Sequence, residues 1–372
     1  MKPFKTVDEQ YSILSTRRLK IKDKNFFVDY INKNNYFNVM NGNENLLIPD
    51  RTSSKVYKTE TFDDFVRLHQ FDKEFSGEVL NILHNFETRL RTSISKHFSS
   101  VFCNKIEDTM QYTNKDKYKN LKAIYATTEN YMLFHQQNGK VVKTFDEFDL
   151  FDNEFLNKLV GKHDFINEKV FRIDPKVMKY TPPKNCSRYR KDVNVVVPIW
   201  VAIETLSFGT LKFMCHYLPK VVIDRVLNDF NLVPNDRDMF LNTLDVINEL
   251  RNKCAHFSLI NLFLTSDRVG ILPILITKLE LKPINKERKK ARIKGGRYIK
   301  ISASVLNLFD TLKVLALYED ISSLKKPLKK VIYQNNRYFK KDTYDLNYRL
   351  LERMGNSEYK QWKELFIKSK CN

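Results

Sequence analysis

An apolar stripe with a helical period runs through the first third of this chain. Phe71, Phe75, Val79, Ile82, Phe86, Leu90, Ile94 and Phe98 recur every three or four positions. Such spacing lines residues up on one face of an α-helix, whereas a strand repeats every second residue. A helical stripe of this length, in a chain with only 9 Gly and 11 Pro, predicts a mainly α fold. The helix is expected from Thr61, where Thr61 and Asp64 offer capping chemistry, to about Phe102. Gly77 is its one break signal.

Shorter elements flank it. Residues 6–34 read as two helices, the second with Phe26, Phe27, Tyr30 and Ile31 on one face and an end at Asn32-Lys33-Asn34. Residues 35–58 read as irregular or extended. Helices are expected over Tyr118–Phe134 and Phe145–Leu159, and a loop at Pro182-Pro183-Lys184-Asn185. Pro198 is expected to open a helix through Trp200, Ile203, Leu206, Phe208 and Leu211, with Trp200 and Phe208 in the core. Another helix should span 236–264, and a last core helix Ser302–Leu317. The domain expectation is a helical and irregular region over 1–58, a helical core over 59–320 with insertions at 103–190 and 282–300, and a basic, Tyr-rich helical tail over 321–372.

Charge narrows the partner. The 372 residues carry 64 Lys and Arg against 44 Asp and Glu, a formal excess of +20. So basic a chain suits a polyanion, with nucleic acid ahead of an anionic membrane. A Lys- and Asn-rich genome would supply such charge without clustering it. Here it is clustered: residues 282–300 hold nine Lys and Arg against one Glu, and read as a basic loop or a short hairpin. Lys286, Arg288, Lys289, Lys290, Arg292, Lys294 and Arg297 form one patch, followed by Tyr298. Lys325, Lys326, Lys329, Lys330, Arg337, Lys340 and Lys341 form a second, interleaved with Tyr333, Tyr338, Phe339, Tyr344 and Tyr348. Cations meet phosphates and flat rings stack on unpaired bases, so both patches are candidate RNA contacts.

Five cysteines, 103, 186, 215, 254 and 371, include no CxxC pair. This argues against a disulfide framework or zinc site and fits a reducing cytoplasm. The opening Met1-Lys2-Pro3-Phe4-Lys5 has no secretory pattern, and the longest apolar run, Val195–Ile203, is too short to span a bilayer. No P-loop, dinucleotide fingerprint or metalloprotease motif is present, and no cofactor or metal is expected.

Arg251-Asn252-Lys253-Cys254-Ala255-His256 carries the chemistry. At helical spacing Asn248, Asn252 and His256 form an i, i+4 ladder, and the long Arg251 side chain reaches the same patch from about 140° away. Leu250, Cys254 and Phe257 sit on the other side and are expected to make the core contact. Imidazole is the side chain that most readily exchanges a proton near neutral pH. Guanidinium holds a phosphate bidentately and offsets charge in a transition state. An amide orients either. Cleavage of RNA by its own 2′-hydroxyl needs these groups.

Arg251-Asn252-Lys253-Cys254-Ala255-His256 also resembles the R-N-x-x-x-H motif of HEPN ribonucleases, and the chain resembles their Abi_2 (AbiD/AbiF-like) abortive-infection branch in several pieces. Val7-Asp8-Glu9-Gln10 to Leu19-Lys20-Ile21-Lys22-Asp23, with Asn35-Tyr36-Phe37, is similar to the family's N-terminal region. Phe71-Asp72 to His97, through Arg89-Leu90-Arg91, resembles its E-x-x-L-R helix. Pro198-Ile199-Trp200 to Leu206-Ser207-Phe208-Gly209 is similar to its most recognisable segment. The resemblance implies a HEPN-like helical bundle and an anti-phage ribonuclease that is held silent until triggered. It implies a small noncoding RNA as a possible partner and a homodimer, because HEPN sites join two motifs. Arg91 and His97, five residues apart and lacking the following Asn, form a second candidate motif that would make the pairing internal to one chain. Two other readings remain: a noncatalytic RNA-binding scaffold, and an interaction protein whose charge reflects genome composition.

Overall fold

The computed structural model describes residues 4–48, 55–119, 136–137, 140–141, 149–151, 155, 166–167, 174–178, 194–195, 197–267, 269–290, 299–339 and 345–368. The fold is mainly α. It forms two compact units, neither a single run of sequence: Met1–Leu83, Glu249–Asp267 and Ile276–Asn372 in one, His84–Asn248 and Arg268–Leu275 in the other.

The long helix spans Phe62–Phe102, 41 residues, or about 60 Å. Every residue of the apolar stripe is buried. At its start the Asp64 carboxylate accepts from the Thr61 amide at 2.8 Å and hydroxyl at 2.9 Å. The helix continues through Gly77, because burial of the stripe on both sides outweighs the roughly 1 kcal/mol that glycine costs relative to alanine. A Cβ at Gly77 would meet nothing within 4 Å, so packing does not require the glycine.

In the first unit, helices Val7–Thr16 and Lys24–Lys33 form where expected, capped by Thr6 with Glu9 and by Asp23. Phe27 packs edge-on against Phe62 with ring centroids 4.8 Å apart. The stretch read as irregular contains a wide helical turn, Phe37–Asn41, and a short helix, Glu44–Leu47. Of the two alternatives read at 282–300, the paired one is met where the residues are described: Ile284–Lys290 pairs antiparallel with Ile299–Val305. The expected helix from Ser302 therefore begins later, at Leu308, with Asn307 as its cap. Ile299, Ile301 and Val305 favour the strand because branching at Cβ suits the pleat. The basic tail is anchored rather than appended. Helices Lys325–Tyr338, Leu346–Arg353 and Tyr359–Lys368 bury Leu328, Val331, Leu350 and Trp362, and Trp362 lies 4.8 Å from Phe309. At the turn before the last helix Gly355 has φ +113°, and a Cβ there would collide with Asn307.

In the second unit Phe86, Phe230 and Phe240 pack ring on ring. The helix expected from Pro198 is two, Ile199–Ala202 and Phe208–Tyr217, because Ser207 accepts from the Thr210 amide and restarts the chain. Phe208 is buried as expected; Trp200 is not, at 57% exposed. Lys212 and Asp245 form a buried pair at 2.6 Å. The helices expected at Tyr118–Phe134 and Phe145–Leu159 fall almost wholly outside the described residues, as does the Pro182–Asn185 loop. Among the described residues no helix is long and apolar enough to cross a membrane.

Candidate active site

Leu250 and Cys254 are buried and fix the motif helix, Arg237–Ala255, on its inner side. Burial pushes the Cys254 thiol up to about 11, which keeps it an un-ionised packing group. Arg251 and Asn252 are half-buried, and His256 is exposed. Among the described residues none hydrogen-bonds or pairs with the side chains of Arg251, Asn252 or His256.

The helix ends at Ala255 rather than near 264. The His256 amide still reaches the Asn252 carbonyl at 3.0 Å, so these two residues remain one turn apart on the same face. The chain then reverses. Ser258 N–H reaches the Lys253 carbonyl and Phe257 N–H the Cys254 carbonyl, with Phe257 at φ +51°. This pair of bonds is a Schellman stop, usually built on glycine. A bulky residue there is strained. The Phe257 ring was expected in the core and is instead 82% exposed.

Two contacts within the same unit hold this turn. Asn38 Nδ2 donates to the Phe257 carbonyl at 3.1 Å. Asp72, buried on the long helix, accepts from the backbone amides of Ile260 at 3.0 Å and Asn261 at 2.9 Å, and from the Asn261 side chain at 2.8 Å. Burial pushes the Asp72 carboxyl up to about 6, despite these donors. One turn earlier, His69 meets the Tyr30 hydroxyl at 2.8 Å, and burial, helped by Lys73, holds its imidazole down to about 4. Asn38, Asp72 and Phe257 were not picked out as site residues. A buried acid inside an apolar stripe was the one available signal.

The second candidate pair is placed differently. Arg91 is buried, paired with Glu87 at 2.7 Å and bonded to the Leu206 carbonyl at 2.9 Å. His97 Nε2 lies 2.8 Å from Asp229, whose carboxylate also accepts from Ser93 at 2.8 Å. Burial pushes the Asp229 carboxyl up, but the Ser93 and His97 hydrogen bonds and the nearby His97 and Lys96 charges hold it below its ordinary value.

Of the first basic patch, Lys286, Arg288, Lys289 and Lys290 fall on the strand Ile284–Lys290; Arg292, Lys294 and Arg297 lie outside the described residues. Of the second, Lys325, Lys326, Lys329, Lys330 and Arg337 lie exposed along the helix Lys325–Tyr338, while Lys340 and Lys341 lie outside the described residues. Pro327, Leu328 and Val331 bury the opposite face of this helix. Lys325, Lys326, Lys329, Lys330, Tyr333 and Ser322 border an open basin of about 610 Å³. Lys330 is also paired with Glu74 at 2.5 Å. Among the described residues no group of three or more His, Cys, Asp or Glu is placed to hold a metal ion.

No curated protein and no solved structure matches the chain. The sequence does match the family described as Abi-like protein (Abi_2) over residues 28–260. This interval covers the long helix and closes four residues beyond His256. The chain therefore belongs to the Abi-like protein family, and abortive infection is the coarse function that membership assigns.

Proposed function

We propose that this Abi-like protein is a metal-independent endoribonuclease of the HEPN kind, acting at Arg251, Asn252 and His256. One observation carries the reading: an arginine, an amide and an exposed histidine lie within six residues at the end of one helix, and their side chains have no partner among the described residues. In the reaction the His256 imidazole takes the proton of an RNA 2′-hydroxyl. The 2′-oxygen attacks the adjacent phosphorus, and the bond to the 5′-oxygen breaks. Arg251 offsets the charge gathering on the phosphoryl oxygens, and Asn252 orients the phosphate or the imidazole. The leaving 5′-oxygen takes up a proton, so the products are a 2′,3′-cyclic phosphate and a 5′-hydroxyl. One turn offers one imidazole; a second copy of the chain supplies the acid, which is the reason to propose a homodimer. The lysine-lined basin is the proposed seat for RNA, whether target or a small noncoding RNA that restrains the enzyme.

The test is cleavage in EDTA by protein stripped of copurified RNA, wild type against His256→Ala. Cleavage by the wild type, with at least a hundredfold loss in the variant and RNA binding retained, supports the reading. Equal cleavage by both overturns it. A second reading, a noncatalytic RNA scaffold, is favoured by the basin with Tyr333 at its rim; tight binding by both proteins with cleavage by neither supports it.

A further inference from the structure

A recess of about 110 Å³ opens beside the motif turn, within the same unit. The long helix lines it with Lys73, Ser76, Gly77 and Leu80, and the turn lines it with Phe257. At about 110 Å³ the recess is smaller than the roughly 150 Å³ cavity that encloses benzene, so through its open mouth it takes no more than one six-membered ring and excludes a fused pair. The wall is largely apolar. Lys73 adds a cation that suits the carbonyl edge of a base, while Ser76 is bonded to the Cys254 thiol and Asn38 to the Phe257 carbonyl.

Two features of the recess are unfavourable for folding alone. Gly77 weakens the middle of a helix, and nothing within 4 Å fills the position its Cβ would take. Its missing side chain leaves the recess open. Phe257 occupies a backbone conformation in which glycine is at ease, and keeps its ring 82% exposed. That ring stands one residue from His256. A strained aromatic over an open slot is a stacking platform, and Arg251, six residues earlier in the chain, suits the phosphate of the same nucleotide strand.

We propose that this recess receives a single pyrimidine base of the RNA, stacked on Phe257 and read at its edge by Lys73, and so sets where the strand is cut. The inference deepens the ribonuclease reading and rests on it for the place of cutting. The recess itself can be tested without cleavage.

Binding of hexauridylate and hexaadenylate to the full chain is measured by fluorescence anisotropy in a His256→Ala background. Hexauridylate is expected to bind the tighter. Gly77→Leu, which fills the recess and strengthens the helix, should weaken hexauridylate binding about tenfold and leave hexaadenylate nearly unchanged. Phe257→Gly, which removes the ring and relieves the backbone, should do the same, so the outcome does not hang on one variant folding. Equal affinities for the two hexamers, or no loss in either folded variant, overturns the proposal. So does a change of oligomeric mass in Gly77→Leu with base preference intact, which would give the recess to a second copy of the chain. A wild type that never cuts, with uridine preference lost on Gly77→Leu, sinks the ribonuclease reading and leaves the recess standing.

Discussion

Arg91–His97 and Arg251–His256 carry the same two residue types at nearly the same spacing, each on a helix, and folding treats them in opposite ways. Arg91 is buried against Glu87 and the Leu206 carbonyl, and His97 is tied to Asp229. Arg251 and His256 lie at the open end of a helix, where a strained turn presents them. A guanidinium that is buried and whose Nη2 already donates to a buried carboxylate and a carbonyl cannot turn to clamp a phosphate without losing those bonds. Spacing nominates a pair; the partners its polar atoms have already taken decide whether it can meet a substrate.

The sharpest way to break this contrast is to truncate both pairs. His256→Ala and Arg251→Ala should each lower cleavage at least a hundredfold. The thermal midpoint should barely move for exposed His256. Arg91→Ala should do the reverse. Leaving Glu87 buried and unpaired costs about 3–5 kcal/mol, read by denaturant unfolding, while cleavage in the folded fraction stays within a few-fold. A folded Arg91→Ala protein as inactive as His256→Ala would put Arg91 in the site and erase the distinction.

A smaller effect sharpens the comparison by testing what holds the open turn. The folded chain keeps a proton on Asp72 up to about pH 6, whereas the unfolded chain loses it near 3.8. Its contribution to stability is therefore present below that window and lost as pH rises through it. His69 runs the other way: held down to about 4 when folded against 6.5 unfolded, it lets stability rise with pH over that range. In the wild type the two slopes oppose. Asp72→Asn removes one, so the variant's thermal midpoint should climb more steeply than the wild type's from about pH 4 to 6. Parallel pH profiles would show that Asp72 does not titrate there. The smallest change is expected on the lysine helix. Lys326→Ala or Lys329→Ala should weaken RNA binding alike across sequences and lower the salt slope by about 1. A sequence-dependent loss would show these side chains reading bases, not phosphates.

Much of the fold was legible because it rests on periodicity. The stripe from Phe71 to Phe98 announced the long helix, and Thr61 with Asp64 marked the start that the structure shows. The misread ends have local causes. Ser207 restarts a helix that an apolar run seemed to continue, and the strand Ile299–Val305 displaced the start of the helix at Leu308. The stop at Ala255 could not be read because its left-handed position holds phenylalanine, not glycine. Trp200 and Phe257 looked like core by residue type and are exposed.

By itself the sequence determined the mainly helical class, the amphipathic faces, the excess of positive charge and the residue types at the motif. These follow from side-chain chemistry and helical period, which act over one or two turns. Only the tertiary structure decided that Asp72 and Asn38 would grip the motif turn, that Phe257 would be strained and exposed, and that Arg91 would be spent on Glu87. Those outcomes depend on which distant groups reach each polar atom once water is excluded, and no local pattern carries that information.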